Sequence, residues 1–125
     1  MTVLGVGVDV VDINRFSRAL ERTPALRARL FGPLDTQRED IGDQSLAARF
    51  AAKEAVLKAL GGNVPGFSWQ DIQVTGDRGQ QPHIVLSGGV AERAAESGVT
   101  STHLSMSHDG GMAIAFVVVD GGKRS

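Results

Sequence analysis

The sequence predicts a single α+β domain in which a mixed or antiparallel sheet packs against helices. Its 125 residues suffice for one hydrophobic core and leave no room for a second independent one. Apolar, β-branched segments predict strands at 3–11 and 112–119, and the longest helical pattern, 45–60, lies between them. We place the domain at 1–120 and expect a flexible tail at 121–125.

The composition excludes several classes of function. With 13 Lys+Arg against 14 Asp+Glu, the net charge is −1, so no overall charge attracts nucleic acid or an anionic membrane. The absence of cysteine excludes disulfides and thiolate metal sites, and three scattered histidines do not form a zinc pattern. The sequence shows no signal-peptide pattern and no apolar run of membrane-spanning length. We therefore expect a cytoplasmic protein without nucleic-acid or membrane partners.

The first strand, predicted over 3–11, holds the most unusual charge in the chain. The segment is apolar on both faces, which is typical of a central strand. Asp9 is its only charged residue, and in a strand it shares a face with Gly5 and Gly7. We therefore expect open space beside the Asp9 carboxylate. A buried ionised carboxylate is costly unless it is paired or bound to a metal, so this position indicates a partner.

A first helix is predicted after Asp12, whose side chain is suited to cap its N-terminus. Apolar residues recur at core spacing from Ile13, while three arginines spaced i, i+3 and i+7 occupy another face: Arg15, Arg18 and Arg22. These arginines either form a solvated face or bind an acidic protein partner. Proline and glycine interrupt residues 24–44, and we expect this segment to be irregular.

The principal helix is predicted over 45–60. Its ends are indicated by capping candidates and glycines, namely Asp43, Ser45, Gly61 and Gly62. Lys53 lies in the apolar stripe of this helix, where a lysine most often neutralises a buried carboxylate. Glu54 and Lys58 lie one step round the helix, beside small alanines. They are either an i, i+4 surface pair or part of a functional site.

The second half of the chain predicts short strands, a helix and a closing hairpin. We expect strands at 69–75 and 83–86, a helix at 89–97, and hairpin strands at 102–107 and 112–119. The last strand is apolar on both faces, so it should lie in the interior of the sheet. On the strand before it, polar residues alternate onto one face: His103, Ser105 and Ser107.

Two interpretations of Asp9 follow from the residues alone. In the first, Asp9 is a structural carboxylate paired with a core lysine such as Lys53. In the second, Asp9 and Glu54 bind a metal ion, and Mg²⁺ fits because it accepts one or two carboxylates together with water and phosphate oxygens. The first predicts a module that binds an acidic protein without chemistry, and the second predicts an enzyme that acts on phosphates.

Four blocks of the sequence resemble holo-acyl-carrier-protein synthases, the small class of 4′-phosphopantetheinyl transferases. They are GVGVDVVDI from residue 5, RFAAKEAVLKALG from residue 49, WQDIQV from residue 69 and HLSMSH from residue 103. The blocks follow the order and spacing of the family as far as the final strand. One departure is the run Gly-Gln-Gln-Pro at 79–82, where the family usually has Gly-x-Pro in a loop near the coenzyme.

The resemblance implies a 4′-phosphopantetheinyl transferase fold and a magnesium-dependent reaction in fatty acid biosynthesis. In that reaction the phosphopantetheine arm of coenzyme A moves to a serine of an acyl carrier protein, and adenosine 3′,5′-bisphosphate leaves. The implied Mg²⁺ ligands are Asp9 and Glu54, with Lys58 contacting a phosphate and Lys53 holding the site together. The residues implied near the coenzyme are Lys53, Lys58, Gly61, Pro82, His103, Ser105 and His108.

The resemblance also implies catalytic groups and protein partners. The implied catalytic residues are Glu54, Lys58 and His108. The acceptor of the serine proton is left open between Glu54, a metal-bound water and the pair His108 and Asp109. Carrier proteins of this kind are acidic, so the arginine face of the first helix becomes the expected docking surface. Small members of the family generally form homotrimers with sites between subunits.

Overall fold

The computed structural model describes residues 2–38, 40–76 and 81–122. In chain order its elements are β1 (Thr2–Asp12), α1 (Ile13–Arg22), α2 (Ala25–Leu30), α3 (Asp43–Ala59), a 3₁₀ turn (Trp69–Asp71), β2 (Ile72–Thr75), β3 (His83–Leu86), α4 (Gly88–Glu96), β4 (Val99–Asp109) and β5 (Met112–Gly121). Gly79 and Gln80 of the loop that departs from the family pattern lie outside the described residues. So does most of the predicted tail, although Gly121 belongs to β5 and pairs with Thr2.

Within the described residues the strands form two antiparallel sheets, one with the order β1-β5-β4 and one made of β2 and β3. β5 is central, as its apolar sequence predicts. β1 lies at the edge, so the prediction that it is a central strand is wrong. The prediction assumed that apolar residues on both faces of β1 are buried. On the outer face, however, Val6, Val8 and Val10 are about half exposed in the isolated chain.

Helix α3 lies across the opposite, inner face of the three-stranded sheet. A Cβ atom on Gly7 would come within 1.9 Å of the Ala55 carbonyl oxygen, and one on Gly5 within 2.0 Å of the Ala59 carbonyl oxygen. The glycines beside Asp9 therefore serve the close approach of α3 to β1. The prediction of open space on this face is wrong, because the α3 backbone fills it.

The ends of the helices agree only in part with the caps predicted from the sequence. Asp12 caps α1, since its Oδ1 accepts a hydrogen bond from the Arg15 backbone N–H at 3.0 Å. Helix α3 begins at Asp43 after Gly42, and no side chain among the described residues caps it, so the predicted N-terminal caps Asp43 and Ser45 are wrong. Asp43 instead accepts a hydrogen bond from the Ser17 hydroxyl and thereby joins α3 to α1. The segment 24–44, predicted to be irregular, contains α2 and the start of α3.

In the part of the chain that the structure describes, the core has two parts that meet at α3. One part packs α3 between the inner face of the sheet and β2, β3 and α4. The other lies beneath α1 and α2 and contains a chain of aromatic contacts, in which Phe50 stacks on Phe16 with ring centroids 5.3 Å apart and also touches Trp69. α3 thus contributes residues to both parts of the core. Within the described part of the chain, no helix combines the length and apolarity that crossing a membrane requires.

Candidate functional site

Asp9 of β1 meets Lys58 of α3 at the edge of the sheet. The Lys58 Nζ donates to Asp9 Oδ1 at 2.9 Å and to the Val8 carbonyl oxygen at 3.1 Å. The Asp9 side chain is 13% exposed and that of Lys58 is 52% exposed, so the pair opens to solvent on the lysine side. The alternative in which Asp9 pairs with Lys53 is wrong.

Glu54 adds a second carboxylate to this pair. Partial burial raises the pKa of Glu54, the neighbouring Asp9 charge raises it further, and Lys58 opposes both effects. The pKa of Lys58 is raised in turn, chiefly by its hydrogen bond to Asp9 and by the Asp9 charge. Two carboxylates therefore share one ammonium group, and this arrangement favours the arrival of another cation.

The donor set fits magnesium. Asp9 and Glu54 offer hard carboxylate oxygens, and no group of three or more His, Cys, Asp or Glu side chains within 2–38, 40–76 and 81–122 forms a more complete metal site. Mg²⁺ characteristically uses one or two carboxylates and completes its octahedron with water and phosphate oxygens. Asp9 and Glu54 would hold such an ion, and phosphate oxygens would be among its remaining ligands.

A groove of about 280 Å³ leads away from Lys58 along the last turn of α3. Its wall includes Lys58, Leu60 and Gly61 on the helix side and Gly5 on the strand side. Gly61 has a φ of 100°, a conformation that glycine adopts without strain, and it ends the helix there. The structure thus brings together two predicted coenzyme residues, Lys58 and Gly61.

A second groove, of about 430 Å³, joins the carboxylate site to helix α1. Glu54 and Phe50 line it from α3, and Arg15 and Phe16 line it from α1. Arg15, Arg18 and Arg22 are all exposed. The basic face of α1 therefore begins beside the carboxylates and runs away from them.

The predicted residues His103 and Ser105 lie elsewhere. They point to the outer face of the sheet, because their register partners Val118 and Phe116 alternate with the buried residues of β5. The His103 Nε2 lies 2.5 Å from Asp120 Oδ2, and hydrogen bonds from Ser101 first and His103 second lower the pKa of Asp120. Pro82 and His103 line a common groove of about 310 Å³. The sheet separates this group from Asp9.

His108 is on the inner face but is also remote from the carboxylates. Its Nδ1 lies 2.5 Å from the Gln44 amide nitrogen, at the start of α3. Gln44 precedes Glu54 by ten residues, which corresponds to about 15 Å along a helix. Within one chain, His108 is therefore out of hydrogen-bonding reach of the cluster of Asp9, Glu54 and Lys58.

Comparison with known proteins identifies the family. The family model of the 4′-phosphopantetheinyl transferase superfamily matches residues 5–117. The chain belongs to this superfamily. A holo-[acyl-carrier-protein] synthase of Clavibacter sepedonicus is 55% identical to this transferase over 119 residues, which cover 95% of this chain and 97% of the relative. The predicted family and enzyme class are confirmed.

Solved structures of the superfamily share the fold of this transferase. The crystal structure of holo-[acyl-carrier-protein] synthase from Neisseria meningitidis has a TM-score of 0.83 and 30% identity, covering 94% of this chain and 98% of that chain. The Helicobacter pylori enzyme in complex with coenzyme A has a TM-score of 0.79 and 32% identity, covering 92% and 99%. The predicted α+β fold is confirmed.

The transferase contains a buried ion pair whose lysine, but not its carboxylate partner, was predicted from the sequence. Lys53 is completely buried, and its Nζ donates to Asp35 Oδ2 at 2.8 Å. Asp35 lies in the segment predicted to be irregular, where no periodicity marks a buried carboxylate. These contacts support the structural role considered for Lys53. Because its ammonium group is enclosed, we do not assign Lys53 to the coenzyme.

Proposed function

We propose that this transferase moves the 4′-phosphopantetheine group of coenzyme A to a serine hydroxyl of an acyl carrier protein or carrier domain. The relatives are named holo-[acyl-carrier-protein] synthases, and the Helicobacter pylori structure contains coenzyme A. The products are the holo-carrier and adenosine 3′,5′-bisphosphate. The role in fatty acid biosynthesis and the cytoplasmic location predicted from the sequence are part of this proposal.

The cluster of Asp9, Glu54 and Lys58 carries the proposal. Asp9 and Glu54 would hold Mg²⁺, which when bound supplies positive charge to the pyrophosphate and its leaving group. Lys58 keeps half of its side chain exposed, so its ammonium group can donate to a phosphate oxygen in the adjoining groove. The serine oxygen forms a bond to the phosphorus of the arm, while the bond from that phosphorus to the bridging oxygen of the pyrophosphate breaks.

The position of Glu54 also bears on the proton of the serine. The proton must leave the hydroxyl as the new bond forms, and a general base must lie within hydrogen-bonding reach. Glu54 lies in the cluster, whereas His108 of the same chain does not. This supports Glu54 over His108 as the acceptor within one protomer.

Helix α1 supports an acidic carrier as the second substrate. Its arginines begin beside the groove that contains Glu54 and extend outwards, so a carrier bound there would present its serine to the cluster. Complementary charge increases encounter rates and fixes the orientation of the partners. Reversal of Arg15 and Arg18 to Glu should weaken carrier binding in a salt-dependent way, measured as the KM for the carrier at two ionic strengths.

The outer face of the sheet supports a homotrimer with shared sites. Val6, Val8 and Phe116 are about half exposed there, and such an apolar patch is characteristic of an interface. His103 and Ser105 occupy the same face, opposite Asp9 and Glu54. If both groups contact one coenzyme, two subunits must contribute to each site. Glu54→Gln and His103→Ala chains should then each have low activity alone and recover activity when refolded together, and no recovery would contradict shared sites.

The decisive experiment is carrier labelling. The full chain is incubated with apo acyl carrier protein, coenzyme A and Mg²⁺, and the carrier is analysed by mass spectrometry. We expect a mass gain of one phosphopantetheine group at the carrier serine and none when EDTA replaces Mg²⁺. No mass gain on a panel of free carriers and excised carrier domains would refute the proposed function.

A further inference from the structure

We propose that Asp35 is a positioning residue for Glu54, an inference that rests on the proposed function. Asp35 is 1% exposed, and both of its oxygens accept hydrogen bonds. Its Oδ1 accepts from the Val74 backbone N–H of β2 at 2.7 Å, and its Oδ2 accepts from the Gly32 N–H at 2.9 Å and from Lys53 Nζ at 2.8 Å. One carboxylate therefore joins the segment after α2, strand β2 and helix α3.

The lysine end of this connection is equally enclosed. Besides Asp35, the Lys53 ammonium group donates to the carbonyl oxygens of Trp69, at 3.2 Å, and Ile72. It also lies 5.5 Å from the centre of the Phe31 ring. A rotation or shift of α3 at this point would break charged hydrogen bonds inside the core, which is costly.

Glu54 lies between two residues whose positions are fixed from opposite directions. Lys53 precedes it and is held by Asp35. Ala55 follows it, and its carbonyl packs so closely on β1 that Gly7 has no room for a Cβ atom. Successive residues of a helix differ by about 100° in direction, so these two contacts determine both the rotation and the height of Glu54. They thereby set its separation from Asp9, which β1 carries.

The energetics favour a geometric role for this pair. A buried ion pair is often no more stabilising than apolar residues of similar volume, because two charges must lose their hydration. What the pair provides is a fixed orientation, since it is satisfied in one arrangement of three chain segments. A site with only two protein ligands depends on such an arrangement, because no third ligand corrects their spacing.

Two variants distinguish a positioning role of Asp35 from a role in stability alone. Asp35→Asn keeps the side-chain shape but removes the counter-charge of the Lys53 ammonium group, and its NH₂ group replaces an oxygen that accepts from a backbone N–H. The double variant Asp35→Asn/Lys53→Met also removes that ammonium group and should regain much of the lost unfolding free energy. Mg²⁺ affinity is measured by calorimetry on the full chain with coenzyme A present, and unfolding is measured in urea. We expect both variants to bind Mg²⁺ about tenfold more weakly than the wild type, with a lower kcat.

Asp43→Asn is the matched control, because Asp43 also joins α3 to another element but lies at the far end of the helix. It should leave Mg²⁺ affinity unchanged. Recovery of affinity together with stability in the double variant would overturn the proposal, as would affinities within about twofold of the wild type in both variants. If Asp35→Asn does not fold, the double variant decides by the same criterion. Failure of the wild type to bind Mg²⁺ with coenzyme A would instead refute the proposed function.

Discussion

Lys53 and Lys58 lie five residues apart on α3, and each is bonded to an aspartate, but their surroundings are opposite. The Lys53 and Asp35 side chains are both 0% exposed, whereas Lys58 is half exposed beside Asp9. Burial lowers the pKa of Lys53, although Asp35 opposes this effect, while the hydrogen bond to Asp9 raises the pKa of Lys58. The same side chain is thus an enclosed structural group in one region and an accessible charge in the other.

The difference lies in how charge is balanced. In the core, one ammonium group meets one carboxylate, and backbone groups take up their other hydrogen bonds. At the edge, one ammonium group meets two carboxylates, and Glu54 retains a raised pKa. A buried ion pair whose hydrogen bonds are taken up within the protein needs no ligand, whereas two carboxylates beside one half-exposed ammonium group favour a cation. This contrast explains why neighbouring residues of α3 serve structure and chemistry separately.

The contrast predicts the largest stability effect at Lys53. Lys53→Met leaves the Asp35 carboxylate buried without its counter-charge, so the free energy of unfolding should fall by about 3–5 kcal/mol. Urea denaturation followed by circular dichroism measures this change. A loss below about 1 kcal/mol, the range of an exposed pair, would mean that the two regions do not differ as described.

Glu54→Gln should have the largest effect on activity. It removes a proposed Mg²⁺ ligand, and we expect turnover to fall about 10³-fold, or about 4 kcal/mol in activation free energy. The fold should be retained, because the raised pKa of Glu54 shows that its ionised form is disfavoured in the metal-free protein. Carrier labelling and urea denaturation are measured on the same preparation. A variant that is destabilised but turns over normally would make Glu54 structural.

Parts of this contrast were predictable from the sequence. The period of the helix predicts that Lys53 points into the core and that Glu54 and Lys58 point in a different direction from Lys53. The apolar sequence of β5 correctly predicted its place in the interior of the sheet. The opposite faces of His103 and His108 follow from strand alternation only once β4 is known to run to Asp109, because the predicted strand ended at residue 107.

Other parts required the structure. Asp35 was not predicted as the partner of Lys53, because it follows Pro33 in a segment without periodicity. The edge position of β1 was missed, since valines on a half-exposed outer face and valines covered by the chain's own core give the same sequence pattern. The surroundings of Gly7 could not be predicted for a related reason. A residue without a side chain is equally consistent with open space and with close backbone packing.

Lys58→Met tests the pair of Lys58 and Asp9, as Lys53→Met tests the buried pair. Loss of a pair whose lysine is half exposed should change the unfolding free energy by less than about 1 kcal/mol. Turnover should fall more, by about 10²-fold, because the ammonium group would no longer neutralise phosphate charge. Steady-state labelling kinetics measure the turnover, and urea denaturation measures the unfolding free energy. Lys58→Arg, which keeps the charge, is the control and should retain more activity than the methionine variant.

The smallest predicted effect is a pH dependence of stability at Glu54. In the unfolded chain a glutamate titrates near pH 4.3. The raised pKa of Glu54 in the metal-free fold means that the native state holds this proton to higher pH. The stability contributed by Glu54 is therefore greatest below the unfolded pKa and is lost as the pH rises through the native pKa.

Glu54→Gln removes this titration and thus provides the test. Urea denaturation of both proteins between about pH 4 and 7, with EDTA present, should show the variant gaining relative stability as the pH rises. The difference should level off once Glu54 is ionised in both states of the wild type. Added Mg²⁺ should reverse it, because the metal binds the ionised carboxylate of the native state. A difference that is constant across this range would show that Asp9 and burial do not disfavour the Glu54 charge.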